Sequence, residues 1–483
     1  MAASESSSQH DVENSLLDLM ENMRRIRCLS KRIELLRSAT HAVKNMKGDL
    51  LRSCMRSTHL SPLFRLVSDF AIQPEFSCRE HFVYEKEDFT GFVERAETAL
   101  GFLCAYFDVC INCSATESTC IDDCLPKLLV VISANIRSNL WSTESVQKLS
   151  LLVLNQLRIL YKVDSLSDLL LLDAKSTMKD VSTPSKCVLG RYLMEVKQIL
   201  TKDKWQKNPT IVESFYWMLT NMIKFPHLSD YLDIVFPPSL MFIDSHVTEH
   251  RIMGIHCLHH IARNVTGEEL RWYGRADVMF AALKQQVYTR EPEIMRALFL
   301  ALLTVLPIVD KDPAKPIAGL SKPRQVDAIL AIMVTNALTE NGIVLRRMYT
   351  QCIADLLDIL GVGAVRHLRR LLELVSSYLE VFDGPEEQAR FNTLRILKSL
   401  EKNCWPRISS HADEILQSLL KLIQDVASDR STTPEPVKER LKAEAVECLN
   451  LLKELCPEVG DCLHTVCQTP ELSYISSSLK DLI

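Results

Sequence analysis

Hydrophobic and polar positions along this chain follow a helical period. From Arg251, apolar or small residues fall at Gly254, Cys257, Leu258 and Ile261, steps of three, three, one and three that put them on one helix face. The same offsets recur from Arg296 (Phe299, Leu302, Leu303, Leu306) and Arg346 (Tyr349, Cys352, Ile353, Leu356). They recur again from Arg390 (Thr393, Ile396, Leu397, Leu400) and Lys442 (Ala445, Cys448, Leu449, Leu452), the starts being 45, 50, 44 and 52 residues apart. A helical unit repeated at about 40–50 residues buries its stripe only by stacking on its neighbours. The pattern predicts an all-α chain, an α-solenoid of HEAT or armadillo-like repeats. Each basic residue is expected where an exposed flank meets the buried stripe.

In chain order, residues 1–14 are serine-rich and polar and are expected to lack structure. Residues 15–173 read as N-terminal helical repeats, opening on the stripe Leu16, Met20, Met23, Ile26, Ile33, Leu36, Val43, Met46 and Leu50. The polar stretch 174–187, with Thr183-Pro184, reads as a boundary loop. Residues 188–483 read as a C-terminal HEAT-like array with loops near 310–325 and 428–436 and a tail, 473–483, able to cap the last pair. Phe236-Pro237-Pro238 is expected to punctuate the approach to the Arg251 helix, and Asp244 to cap it.

Composition narrows the function classes. Hydrophobic residues make up 47% of 483, enough for a continuous core, and only 13 glycines argue against glycine-consuming α/β folds. A net charge of -5 offers no global attraction to nucleic acid or anionic membrane. Between Arg24 and Arg56, however, ten Lys or Arg stand against Glu34 and Asp49. This basic 24–56 region reads either as a solvated helix face or as a docking face for nucleic acid or an acidic partner; no aromatic residues interleave for base stacking. Several of the 16 cysteines occupy apolar helix positions, where the residue acts as a small hydrophobe. Met1-Ala2-Ala3-Ser4-Glu5 lacks the features of a secretory leader, and the apolar run 297–306 is too short to span a bilayer. An intracellular, soluble protein with reduced thiols and no membrane partner is expected.

Two constellations have metal-ligand spacing. His246-Val247-Thr248-Glu249-His250 matches the H-x-x-E-H pattern of inverted zinc peptidases, with His256, His259 and His260 following. A hydrolase would also need a third protein ligand and a solvent-excluding cleft, whereas this motif falls across the leading turn of a repeat. Cys104, Cys110, Cys113, Cys120 and Cys124 could supply four thiolates, but no glycine stands in or beside the Cys110–Cys113 turn. No phosphate-binding loop, dinucleotide fingerprint or nucleophile elbow is present. The reading assigns no catalytic residue, metal or cofactor. Arg271, Trp272, Tyr273 and Arg275 form the most interface-like cluster, since Trp, Tyr and Arg dominate binding hot spots. The alternative is an aromatic wedge buried between repeats.

Phe225-Pro226-His227-Leu228-Ser229-Asp230-Tyr231-Leu232, Phe236-Pro237-Pro238, the run Glu249–Ile261 and Trp272-Tyr273 together resemble the TEL-two-interacting protein two family, most strongly over 225–290. The resemblance implies a non-enzymatic scaffold subunit of the Triple-T (TTT) co-chaperone complex. Its implied partners are TEL-two and its first interacting protein, both helical-repeat subunits, and the heat-shock chaperone machinery. PIKK-family kinases (mTOR, ATM, ATR, DNA-PK, SMG-one type) are the implied clients, contacted indirectly, in DNA-damage and growth signalling. Cytoplasmic and nuclear residence is expected, and nucleic acid is not expected as a partner. The alternative from another class is a HEAT-repeat transport or nucleic-acid-associated adaptor using the basic 24–56 region.

Overall fold

The computed structural model describes residues 2–45, 57, 59–76, 83–112, 121–172, 187–310, 323–428 and 433–468. Among the described residues every regular element is helical, and the helices pack as an α-solenoid of HEAT/armadillo-like repeats. The chain forms two compact units, 1–265 and 266–483.

Unit 1 contains α1 (Ala2–Arg25), α2 (Leu29–Lys44), α3 (Leu60–Ala71), α4 (Phe92–Asn112), α5 (Leu125–Ala134), α6 (Glu144–Leu160), α7 (Leu166–Leu170), α8 (Val188–Lys197), α9 (Pro209–Asn221), α10 (Leu232–Ile243) and α11 (Thr248–Asn264). Helix α4 packs between α2 and α6, α5 against α9, and α10 against α11. The sequence reading divides the chain at 174–187, a segment of which only residue 187 is described. The division falls instead after Val265, because helices on both sides of that segment share one core. Ser133 of α5, Ser214 of α9 and Tyr192 of α8 form a buried hydroxyl chain, with both Ser133–Ser214 and Tyr192–Ser214 at 2.7 Å. A buried polar chain of this kind holds three helices in one register.

Three local expectations change. Residues 2–14 continue α1 rather than lacking structure; extending a helix already nucleated by the Leu16–Met23 stripe fixes only one further residue per hydrogen bond. Pro237 and Pro238 lie inside α10, where burial of Val235, Phe236, Ser239, Phe242 and Ile243 against its neighbours offsets the missing donors. Asp244 ends α10 rather than capping α11, whose first turn takes its acid from Glu249; the Val247 amide donates to Ser245 Oγ at 3.2 Å.

Unit 2 contains α12 (Gly267–Trp272), α13 (Arg275–Gln286), α14 (Pro292–Asp310), α15 (Gln325–Leu338), α16 (Ile343–Leu360), α17 (Leu368–Leu379), α18 (Gln388–Asn403), α19 (Trp405–Ile408), α20 (Ala412–Ser428), α21 (Glu435–Leu455) and α22 (Glu458–Gln468). Antiparallel pairs α13–α14, α15–α16, α17–α18 and α20–α21 stack in two layers: α15, α17 and α20 adjoin in one, and α14, α16, α18 and α21 in the other. The expected stripe residues are buried in every repeat except Leu303, which is half-buried. The segments 311–322, 429–432 and 469–483, which carry most of the two expected loops and the expected cap, lie outside the described residues.

Two features depart from expectation. Arg390 does not mark an exposed flank; it is 1% exposed and bonded to Glu387 and Asp425. The apolar run 297–306 belongs to a longer helix, α14, which by length and composition could cross a membrane, as could the stretch 343–379. In unit 2 these segments supply core: Ile294, Leu298, Leu302, Val305 and Leu306 of α14 are fully buried.

Candidate partner-binding surface

The cluster at 271–275 is built by a capped turn. Thr266 Oγ1 accepts from the Glu269 amide at 3.4 Å while Glu269 reaches back to the Thr266 amide at 3.2 Å, starting α12. Gly274, with φ 66°, ends it by turning the chain through left-handed space into α13. This geometry separates the four residues. Arg271 folds inward, donating to the Ile308 carbonyl at 3.1 Å and pairing with Glu268 at 3.1 Å. It braces the turn against the end of α14. Trp272 and Tyr273 point outward, 78% and 71% exposed, with rings stacked at 6.0 Å and 10°. The Arg275 guanidinium lies 4.8 Å from the Tyr273 ring centroid. The pair is therefore not a buried wedge. Trp272 and Tyr273 form one preordered exposed stack beside the half-buried Arg275, with large rigid rings and little side-chain entropy left to lose on contact.

The histidines of α11 are used internally. His250 Nδ1 sits 3.2 Å from Ser245 Oγ and its ring packs edge-on against Trp205 at 5.0 Å. Burial, with a smaller contribution from His246, pushes its pKa down to about 4. His256 stacks on Tyr216 and accepts or donates at Nδ1 with the Tyr216 hydroxyl at 2.8 Å; burial and then Arg137 hold it below its ordinary value. His260 Nε2 donates to the Ile223 carbonyl at 2.7 Å. Glu249 lies on the exposed side of the helix. Of the cysteine cluster, Cys113 and Cys120 lie outside the described residues. Cys104 and Cys110 are buried in α4, and Cys124 donates to the Ile121 carbonyl at 3.1 Å, burial pushing its thiol up to about 12. Among the described residues no group of three or more His, Cys, Asp or Glu side chains is arranged to hold a metal.

One cleft escaped the sequence reading. Arg137, Trp141, Glu213, Tyr216, Glu249 and His256 line a space of about 600 Å³ in unit 1. Arg137 pairs with Glu213 at 3.0 Å and lies 4.5 Å from the Tyr216 ring centroid. Burial pushes Glu213 up to about 7, opposed by Arg137 and reinforced by Glu249. Its walls come from four separated stretches of chain, so no local motif marks it. Of the basic region, residues 46–56 lie outside the described residues. Arg24, Arg25, Arg27, Lys31 and Lys44 are exposed, while Arg37 pairs with Glu94 of α4 at 3.0 Å.

Stacked helix pairs with an outward aromatic–arginine cluster define an all-helical repeat protein. The profile of the Tti2 family matches residues 128–385, and the chain belongs to that family. It is 41% identical to human TELO2-interacting protein 2 over 257 residues, 53% of this chain and 50% of that protein. It is 35% identical to the rat TELO2-interacting protein 2 over 266 residues, 54% of this chain and 52% of that one. The matched region thus spans about half the length of these curated relatives. Among solved structures, importin beta aligns with 98% of this chain and 63% of its own at 12% identity and a TM-score of 0.45.

Proposed function

We propose that this chain is a non-enzymatic scaffold subunit that binds a TELO2-like protein in a TTT-type co-chaperone assembly. In this reading the assembly, with the heat-shock chaperone machinery, supports maturation and stability of PIKK-family kinases, the chain working in cytoplasm and nucleus. The observation that carries the reading is the exposed Trp272–Tyr273 stack beside Arg275 in a member of a family whose relatives are named for binding TELO2. Helical repeats offer long surfaces, and large interfaces require no site chemistry.

The test is affinity capture of the tagged full chain, wild type and Trp272→Ala/Tyr273→Ala, from the same cells with quantitative mass spectrometry. Stoichiometric recovery of the cell's TELO2 with the wild type, cut by the double variant, is expected. Wild type that captures no TELO2 overturns the reading, and equal capture by both removes the stack from it. The exposed cations of α1 and α2 favour one second reading, a nucleic-acid-associated adaptor. A steep loss of RNA or DNA binding with added salt would support it.

A further inference from the structure

In unit 2 the turns joining α13 to α14, α15 to α16 and α17 to α18 lie on one edge, because these pairs stack in the same sense. Asn336 at the end of α15 donates to the Val287 carbonyl beyond α13 at 3.4 Å, and the Tyr378 hydroxyl at the end of α17 donates to the Ala337 carbonyl at 2.8 Å. Arg347 in the opening turns of α16 donates through Nε to Asp383, ahead of α18, at 3.0 Å.

Along this edge the turns carry a row of large apolar side chains: Tyr288 (67% exposed), Ile343 (49%), Val344 (53%), Val381 (42%) and Phe382 (47%). The Arg347–Asp383 bridge holds the Val344 turn beside the Phe382 turn. Phe382 is also held in place, its ring lying on Gly384 so closely that a methyl there would run into it. Single exposed apolar residues are ordinary, but an aligned, anchored row across three turns marks an interaction surface. Helices packed 8–10 Å apart make such a row roughly 20 Å long, the length of about 14 helical residues. The surrounding charge is mixed and acidic on balance, with Asp383, Glu386 and Glu387 already paired to arginines. Residues 287–295, 339–347 and 380–391 contain seven carboxylates (Glu291, Glu293, Glu340, Glu380, Asp383, Glu386, Glu387) and four guanidiniums (Arg290, Arg346, Arg347, Arg390).

We infer that this edge docks an amphipathic helix of another protein, its apolar stripe flanked by Lys or Arg. The apolar row takes the stripe, and the acidic surplus selects the basic flanks and disfavours an anionic membrane or a nucleic acid. The surface is distinct from the Trp272 stack and does not depend on that reading.

The probe is a fluorescein-labelled 18-residue Leu/Lys amphipathic helix, with a Leu/Glu helix of the same stripe as comparison, titrated by anisotropy with the full chain. Saturable binding of the Leu/Lys helix is expected, weakened about tenfold or more by Val344→Asp/Phe382→Asp. Weaker binding to Gly384→Ala, which displaces the Phe382 ring, and unchanged binding to Trp272→Ala are also expected. The substituted side chains are half exposed, so the melting temperature should be retained. No binding, equal binding of the Leu/Glu helix, or a double variant that binds like wild type overturns the inference. So does a row that instead mediates binding to phosphatidylcholine vesicles or self-association, with either lost in the double variant.

Discussion

Arg390 Nη2 lies 2.6 Å from Asp425 Oδ2, tying the start of α18 to the end of α20 through a guanidinium that is almost fully buried. Glu387, one turn earlier and also buried, lies 3.6 Å away and has left-handed φ, 52°, uncommon for a residue with a side chain. Removing Arg390 would leave Glu387 buried without its counter-ion, and breaking a buried pair from one side is costly. Arg390→Ala is expected to destabilise the chain by about 3 kcal/mol, the low end for such pairs because Asp425 is half exposed. Urea unfolding of the full chain measures it; an unchanged midpoint would show that the network contributes nothing.

Glu401 poses the opposite case, since both carboxyl oxygens are buried without a hydrogen-bond partner. Burial pushes its pKa up to about 9, against smaller opposing effects of Lys398 and Lys402. The folded state therefore holds a proton that the unfolded chain releases from about pH 4.5, so stability falls as pH rises from there toward 9. Glu401→Gln removes this dependence. Its stability relative to wild type should grow by about 1.4 kcal/mol per pH unit across that window. Parallel unfolding at pH 6 and pH 8 checks the slope, and a pH-independent difference would mean that the carboxyl is already ionised.

Two helical glycines should respond with opposite signs. A Cβ on Gly254 would fall on the Ile243 backbone nitrogen, so α11 crosses α10 only because that position has no side chain. Gly254→Ala should cost about 1–3 kcal/mol or more through overpacking. Gly101 in α4 has nothing within 4 Å of the equivalent point, so Gly101→Ala should stabilise by about 0.5–1 kcal/mol. Thermal melts of the pair separate steric need from helix propensity.

Within the 271–275 cluster, stability and binding should separate. Arg271→Ala removes the brace to the Ile308 carbonyl and should cost about 1 kcal/mol of stability. Trp272→Ala removes an exposed ring and should leave the melting temperature unchanged while weakening partner binding about tenfold or more. Melting curves beside quantitative partner capture distinguish the two, and a Trp272→Ala protein that melts early would return the ring to a structural role.

The helix periods and the repeat were legible in the sequence because a stripe such as Cys352, Ile353 and Leu356 needs only local geometry to share a face and only apolar character to be buried. The family resemblance rested on local runs such as Phe225–Leu232 for the same reason. Polar residues carry no such rule. Arg346 and Arg390 hold the same repeat position, yet one stacks over Tyr378 at 3.8 Å and the other is sealed beneath Asp425, a residue 35 positions away. His246, Glu249 and His250 match a zinc pattern by spacing, but Ser245 and Trp205 turn His250 to other use. Sequence spacing determined which faces are apolar. Only the tertiary structure decided which charges are buried, which aromatic rings meet solvent and where the chain divides, because each depends on a neighbour brought from elsewhere in the chain.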